Sequence, residues 1–169
     1  MDCYEACFMQ ARQPVFYTGA GVPDTVDGRF DLLLVHEFLV IRRLLSASNR
    51  AEEGREFSQA LFDITFADMD QSLRDAGIGD MGVPKHVRRM MLAYNGRMHA
   101  YESAFNEGKA ALEEALERNL YGTVEQPDAK ALRLAADYMI RSEKALAAQK
   151  FDDICAGVIE FPPVIRKKD

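Results

Sequence analysis

The most hydrophobic stretch of the chain runs from Gly28 to Leu45, where apolar residues fall on every side of a helix with 3.6 residues per turn. A helix without a polar side must be surrounded by other helices or by lipid. Its roughly 16 core residues span only ~24 Å, less than a bilayer interior, and Asp31, Glu37 and Arg42 interrupt the apolar run. The pattern therefore predicts the buried central helix of a soluble protein.

Apolar residues at helical spacing also occur on both sides of this central segment. The further predicted helices are Met1–Gln13, Arg55–Ala76, Pro84–Phe105, Lys109–Tyr121 and Asp128–Ala156. Between residues 15 and 28 the chain is rich in Gly, Pro, Asp and Thr, which indicates a loop. Asp24 or Asp27 in this loop is expected to cap the central helix.

Residues 158–169 differ from the rest of the chain. The two adjacent prolines in this segment are incompatible with a helix, and its apolar residues favour contact with the body of the protein. We expect an extended C-terminal arm packed across the helices, with Arg166, Lys167 and Lys168 in solvent. The fold predicted for residues 1–169 is therefore all-α, a single compact multi-helix domain built around a buried central helix, with this short arm.

Composition limits the possible partners and the compartment. The chain has 169 residues and a net charge of −6, which argues against general affinity for nucleic acids. Its three cysteines lack the spacing of a disulfide framework, so they indicate a reducing compartment. The sequence shows no signal-peptide pattern and no membrane span, so we expect the cytoplasm, or an organelle interior after removal of a leader.

Charge is distributed unevenly between two neighbouring predicted helices. Residues 52–80 contain eight acidic and two basic residues, whereas residues 84–101 contain four Lys or Arg residues and no acid. Lys85, Arg88 and Arg89 form a basic face opposite an apolar stripe rich in Met and Tyr. Two interpretations are open: the basic face pairs with the acidic helix, or it is a docking surface for anionic groups.

Residue types that bind metals or carry out catalysis are present without the required spacing. Cys3 and Cys7 lie one helical turn apart, but no second pair completes a metal site, so two small buried side chains are the simpler interpretation. A di-iron site would need two Glu-x-x-His pairs, which the chain lacks. We interpret His36 as a hydrogen-bonded core histidine. The sequence therefore predicts no catalytic residues, no metal and no cofactor.

Several unusual segments follow one another in a specific order. They read QARQPVFYTGAGVPDTVDGRFDLLLVHEFLVIRRL, FADMDQSLRDAGIGDMGVPKHVRRM, YNGRMHAY and RNLYG. In order and spacing, these segments between residues 10 and 122 resemble the ubiquinol-cytochrome c chaperone family, whose members are assembly factors for respiratory complex III. The C-terminal third resembles the family only loosely.

This resemblance implies an all-helical, non-enzymatic chaperone that binds newly made cytochrome b and promotes its assembly into the complex. Mitochondrial members work with a small partner protein at the ribosome on the matrix side of the inner membrane. The chain resembles a compact bacterial member, so both the small partner and the ribosome contact stay open. We expect a cytoplasmic protein peripheral to the inner membrane that meets its anionic surface or the ribosome, and binds no specific nucleic-acid sequence.

The family pattern and the basic face together nominate a partner-binding surface. The candidate residues are Asp24, Arg29, Gly79, Asp80, Lys85, Arg88, Arg89 and Arg97. The Asp24 loop and the Gly79 loop would form one rim around a partner groove, and Asp70 and Arg74 are expected to pair with each other. The alternative to a chaperone is a helical small-molecule-binding protein or an enzyme with an unrecognised pocket.

Overall fold

The computed structural model describes residues 2–165, and these residues are helical, with no β-strand among them. The α-helices are α1 (Cys3–Ala11), α2 (Pro14–Thr18), α3 (Val26–Leu45), α4 (Ala51–Asp75), α5 (Val83–Glu107), α6 (Lys109–Asn119), α7 (Ala129–Ala147) and α8 (Phe151–Cys155). A short 3-10 turn, Ser48–Arg50, leads into α4. The all-α fold predicted from the sequence is confirmed. None of the helices in this part of the chain is long and apolar enough to cross a membrane.

Helix α3 is the centre of the fold, because neighbouring helices cover it on several sides. Helices α1, α4, α5 and α7 pack against it. Its buried apolar side chains are Phe30, Leu32, Leu33, Leu34, Val35, Phe38, Leu39, Val40 and Leu44. Each large apolar side chain buried in this way contributes ~1.5–3 kcal/mol, so α3 supplies a large share of the core.

The start of α3 differs from the sequence prediction. Thr25, and not Asp24 or Asp27, caps the helix: its hydroxyl accepts a hydrogen bond from the Gly28 N–H at 3.0 Å. Asp24 is instead bound by Arg29. Gly28 is required at this turn, because a Cβ there would lie 2.1 Å from the carbonyl oxygen of Pro23.

The loop predicted for residues 15–28 is partly helical. Pro14 begins α2 and does not merely end the preceding helix, because proline lacks only an N–H that the first turn of a helix leaves unpaired. The remaining residues, from Gly19 to Thr25, connect α2 to α3 without regular structure. The sequence prediction was therefore wrong at Pro14–Thr18.

The single helix predicted from Asp128 to Ala156 is broken into α7 and α8. Arg43 of α3 donates hydrogen bonds to the carbonyl oxygens of Leu146 (3.0 Å) and Gln149 (2.9 Å). These bonds hold the end of α7 and the turn that follows it against α3. Because the partner residue lies more than one hundred positions away, local sequence gives no signal for the break.

The C-terminal arm contains no helix or strand over residues 158–165, as its two prolines predicted. Arg141 of α7 donates hydrogen bonds to the carbonyl oxygens of Pro163 (2.7 Å) and Val164 (2.8 Å). The Phe161 ring packs edge-on against the ring of His36, with 5.1 Å between centroids. The arm therefore closes one side of the core. The expectation for Arg166, Lys167 and Lys168 falls outside the described residues.

Candidate partner-binding surface

Helix α5 presents three different surfaces around its circumference. On one flank Tyr94 and Met98 line a groove, and on the opposite flank Arg89 and Arg97 line a pocket. Between the flanks lies an exposed face that includes Leu92. Helical geometry explains the arrangement, because each residue of an α-helix is rotated by about 100° from the one before it, so different positions along α5 face different neighbours. Both cavities therefore open beside the same exposed face.

The groove, called here the apolar groove, lies between α3, α4 and α5 and has a volume of about 730 Å³. Its apolar lining consists of Phe38, Ile41, Leu45, Phe62, Tyr94 and Met98. The aromatic part is firmly packed, because the Phe62 ring lies 4.6 Å from the ring of Phe66 and 5.1 Å from that of Tyr94, centroid to centroid. Polar residues such as Gln59, Asn95 and His99 border it.

The Met and Tyr stripe predicted on α5 is only partly core. Tyr94 and Tyr101 are buried, whereas Val87, Met91 and Met98 keep part of their surface exposed. These three pack against core clusters without being enclosed by them. Methionine is unbranched and polarisable, so it adapts to apolar partners of different shapes. One part of the stripe is therefore core, and the other part is an open apolar surface.

Beneath the groove lies a fully buried carboxyl group, Glu37 of α3. Its Oε1 lies 2.7 Å from the Thr65 hydroxyl, which also lies 2.8 Å from the Leu61 carbonyl oxygen. A hydroxyl has one proton, so Thr65 donates to either Glu37 or the Leu61 carbonyl oxygen at any one time. Burial raises the pKa of Glu37 to about 8, against the opposing effect of hydrogen bonds from Thr65 and Tyr94.

This carboxyl group makes the stability of the protein depend on pH. Because the pKa of Glu37 is raised from 4.5 to about 8 in the folded state, folding loses stability as pH rises through that interval, at ~1.4 kcal/mol per unit. A Glu37→Gln variant keeps a side-chain oxygen that can accept from Thr65 and has no ionisable proton. We expect its melting temperature to exceed that of the parent protein at pH 8.5 and to match it more closely at pH 5.

Thermal unfolding of both proteins across this pH range checks the expectation. His36 titrates in the opposite sense, since burial lowers its pKa to about 4 and stability is lost as pH falls from 6.5. It is present in both proteins and cancels in the comparison. A difference in melting temperature that stays constant from pH 5 to 8.5 would contradict the assignment.

His36 itself is a core histidine, as predicted. Its Nδ1 donates to the carbonyl oxygen of Leu32 at 2.8 Å, and its Nε2 accepts from the Tyr138 hydroxyl at 2.9 Å. With both ring nitrogens satisfied and no exposure to solvent, the ring joins α3 to α7. Cys3 and Cys7 are likewise buried, as free thiols on α1. No group of potential ligands in residues 2–165 is arranged to hold a metal ion.

The basic face of Lys85, Arg88 and Arg89 is exposed on α5. Within residues 2–165 none of the three lies within ion-pairing distance of a carboxylate. Asp80, a candidate partner from the acidic helix, is bound instead by Arg74, which also binds Asp70 as predicted. The interpretation that the basic face pairs with the acidic helix is therefore wrong.

The second cavity, called here the arginine pocket, lies where α5 meets the start of α3 and the end of α6, and has a volume of about 320 Å³. Arg89, Arg97 and Arg118 line it together with the carboxylates of Asp27 and Asp31. Arg97 Nη2 lies 2.8 Å from Asp31 Oδ1. Burial raises the pKa of Asp31 to about 6, against the opposing charge of Arg97.

The sequence candidates thus divide into separate groups. Asp24 and Arg29 form an exposed ion pair at the start of α3, and this pairing holds the pKa of Asp24 below its usual value. Gly79 and Asp80 lie on the exposed turn between α4 and α5. Neither the apolar groove nor the arginine pocket is lined by Asp24 or Gly79, so a common rim of the two loops stays a prediction.

These features define an all-helical protein that presents an open apolar groove and a basic surface beside it. The chain matches the family model described as ubiquinol-cytochrome C chaperone over residues 18–161 and belongs to this family. The match extends further towards the C-terminus than the sequence motifs indicated. Membership supports a chaperone role in assembly of the cytochrome bc1 complex and implies a protein that is not an enzyme.

A crystal structure gives a second, independent comparison. The Cbp3 homolog from Brucella abortus superposes with a TM-score of 0.79 at 33% sequence identity, and the alignment covers 95% of this chain and 87% of that chain. A search of curated proteins found no match. The shared fold extends over nearly the whole chain.

Proposed function

We propose that this protein is an assembly chaperone that holds newly made cytochrome b in the apolar groove, at the surface of the inner membrane. The observation that carries the proposal is an open groove with an aromatic and methionine lining in a member of the ubiquinol-cytochrome c chaperone family. Capture of cytochrome b from solubilised membranes tests this client directly.

The groove suits an apolar helix of a client. Its walls α4 and α5 are each 25 residues long, about 37 Å at 1.5 Å per residue. A helix laid between them would place side chains at i, i+3, i+4 and i+7 against Phe62, Tyr94 and Met98. A membrane protein that has not yet inserted exposes such helices, and the groove would shield them from water.

The border of the groove is fixed by charged groups. Arg42 is bound to Glu102 at 2.5 Å and lies 3.5 Å from Glu143, so α3, α5 and α7 are joined at one end of the groove. Its guanidinium also lies over the ring of Phe105, 4.9 Å from the centroid. A lining held in this way needs little rearrangement on binding, which lowers the entropic cost of client capture.

The basic face would hold the chaperone at an anionic surface, which is the inner membrane or the ribosome. Each basic residue close to an anionic bilayer contributes ~1 kcal/mol, and the attraction fades beyond a Debye length of ~8 Å at physiological salt. Lys85, Arg88 and Arg89 are exposed and form no ion pair within the described part of the chain, which supports this role. Because they lie beside the groove on α5, a client held there would stay near the membrane.

Reversing the charge of Lys85, Arg88 and Arg89 to glutamate should weaken binding to anionic vesicles or ribosomes well over tenfold. Stability should change little, because the three side chains are exposed. Co-sedimentation measures binding, and salt added to the parent protein should have the same effect as the substitutions. A lower melting temperature with unchanged co-sedimentation would contradict the docking role.

The chain offers a matched control for this experiment. Lys130, Arg133 and Lys144 are exposed on α7, away from the basic face, and their reversal changes the net charge by the same amount. We expect this control variant to keep most of the vesicle or ribosome binding. An equal loss in both variants would show that net charge, and not the basic face, controls association.

A further inference from the structure

The arginine pocket contains buried polar atoms whose bonding capacity is not used. The Asp31 side chain is 9% exposed and is held near Arg97 by charge. Arg97 Nε has no hydrogen-bond partner among residues 2–165, whereas Asp31 Oδ1 contacts Arg97 Nη2 at 2.8 Å. A buried donor without a partner is energetically unfavourable, so the pocket favours a molecule that supplies an acceptor to Arg97, and a donor on that molecule would give the Asp31 carboxylate a second partner.

The charged groups around these atoms define the chemistry of that molecule. Arg89 and Arg118 line the same pocket from α5 and α6, so three arginines and two aspartates, Asp27 and Asp31, surround it. Arg118 also lies 3.7 Å from Glu114 on the exposed side of α6. Guanidinium groups bind phosphate oxygens with paired hydrogen bonds, and a carboxylate accepts from a hydroxyl or an ammonium group. The pocket therefore fits a phosphate that carries a neighbouring hydroxyl or ammonium group.

The volume of the pocket agrees with a small polar group. About 320 Å³ corresponds to roughly ten water molecules at ~30 Å³ each. This is enough for a phosphate with a short polar substituent, such as phosphoglycerol or phosphoethanolamine. It is too small for a folded peptide segment, which would need a longer groove such as the one on the other flank of α5.

Exposed large apolar side chains in the segments that carry the pocket and the basic face point to a bilayer as the source of the phosphate. Val26, Met81 and Leu92 are 75%, 97% and 69% exposed. Val26 adjoins Asp27 of the lining, Leu92 lies on the exposed face of α5, and Met81 lies one turn before Lys85 of the basic face. Exposed apolar tips beside basic residues are typical of surfaces that enter the interface between headgroups and acyl chains.

We propose that the arginine pocket binds the headgroup of a membrane phospholipid, phosphatidylglycerol or phosphatidylethanolamine. The phosphate lies against Arg89, Arg97 and Arg118, and the hydroxyl or ammonium group donates to Asp31. Val26, Met81 and Leu92 enter the interface around it. This inference rests on the proposed docking at the membrane, and it assigns a specific lipid-binding site to the docked protein.

Short-chain dihexanoyl phosphatidylglycerol, kept below its micelle concentration, tests the site on the intact protein. Backbone amide chemical shifts in a titration should move at Gly28, Ala93 and Gly122, which line the pocket, and should reach saturation. An Arg118→Gln variant should bind about tenfold more weakly or worse, since one phosphate contact is lost. Arg118 is exposed on α6, so its substitution leaves the core intact.

Three further measurements complete the design. Arg133→Gln, an exposed arginine on α7, is the matched control and should bind as the parent does. Inorganic phosphate should bind more weakly than the lipid, because it lacks the dihexanoylglycerol part that would contact the exposed apolar side chains of Val26, Met81 and Leu92. Leu92→Ser should weaken association with vesicles that contain phosphatidylglycerol and leave the binding of inorganic phosphate unchanged.

The outcomes separate this inference from the proposed docking. No saturable shift at the pocket, equal binding in Arg118→Gln, or inorganic phosphate binding as tightly as the lipid would each overturn the headgroup site. If vesicle binding still depends on Lys85 and Arg88 in those cases, docking stands without the site. If the pocket binds the short-chain lipid but vesicle binding does not depend on the basic face, the docking proposal fails and the headgroup site stands.

Discussion

Replacing Phe38 with aspartate should unfold the protein. Phe38 is 3% exposed on α3, and its ring packs against those of Tyr101 and Phe105, with centroids 5.5 Å and 5.7 Å apart. Removing a buried phenylalanine side chain costs ~3–5 kcal/mol, and burying an unpaired carboxylate adds to this loss. Typical domains are stable by only ~5–15 kcal/mol, so little or no stability would remain.

Far-UV circular dichroism and thermal unfolding measure this effect. Phe38→Leu is the matched control, because leucine keeps an apolar side chain at the same position and should leave a folded helical protein with a lower melting temperature. A folded Phe38→Asp protein with an unchanged melting temperature would show that α3 is not the centre of the core.

Replacing Met98 with glutamate should lower client capture at least a hundredfold. Met98 lines the apolar groove and is only half-buried, so the variant should fold, with its carboxylate in the groove. A bound apolar helix would then cover an unpaired charge, at a cost of several kcal/mol. Each 1.4 kcal/mol changes an affinity tenfold, so a loss of about 3 kcal/mol reaches a hundredfold.

Ile64→Glu is the matched control for this substitution. Ile64 is an exposed apolar residue of α4 that does not line the groove, so the same charge appears at a site where no client is expected. The amount of cytochrome b that co-purifies with each variant gives the comparison, after circular dichroism has shown that both are folded. Equal capture by the two variants would remove the groove from the proposed function.

The sequence predicted the elements that depend on local pattern. The continuous apolar run of α3, the break between the helices predicted at Pro84–Phe105 and Lys109–Tyr121, and the prolines of the arm are recognisable within a few residues, and the structure has them where expected. The end of α7 could not be predicted from local pattern, because the turn after it is held by Arg43 from another helix. The start of α2 was missed because Pro14 can either end one helix or begin the next.

The binding surfaces could likewise be predicted only where they depend on the local sequence. The exposed positions of Lys85, Arg88 and Arg89 follow from helical periodicity within one segment. The apolar groove and the arginine pocket each need three helices packed in space, so a single sequence shows only their parts, such as the Met residues of α5. The ion pair of Asp31 with Arg97 joins α3 to α5, and it places Arg97, a candidate for partner binding, in the arginine pocket.

The measurement that tests the central claim most directly is affinity purification of the protein from membranes solubilised in mild detergent. The account predicts that cytochrome b is enriched relative to other inner-membrane proteins of similar size and hydrophobicity, and that Met98→Glu abolishes the enrichment while Ile64→Glu keeps it. Recovery of cytochrome b no greater than that of those other membrane proteins would contradict the account, because the groove would then have no specific client in the cytochrome bc1 complex.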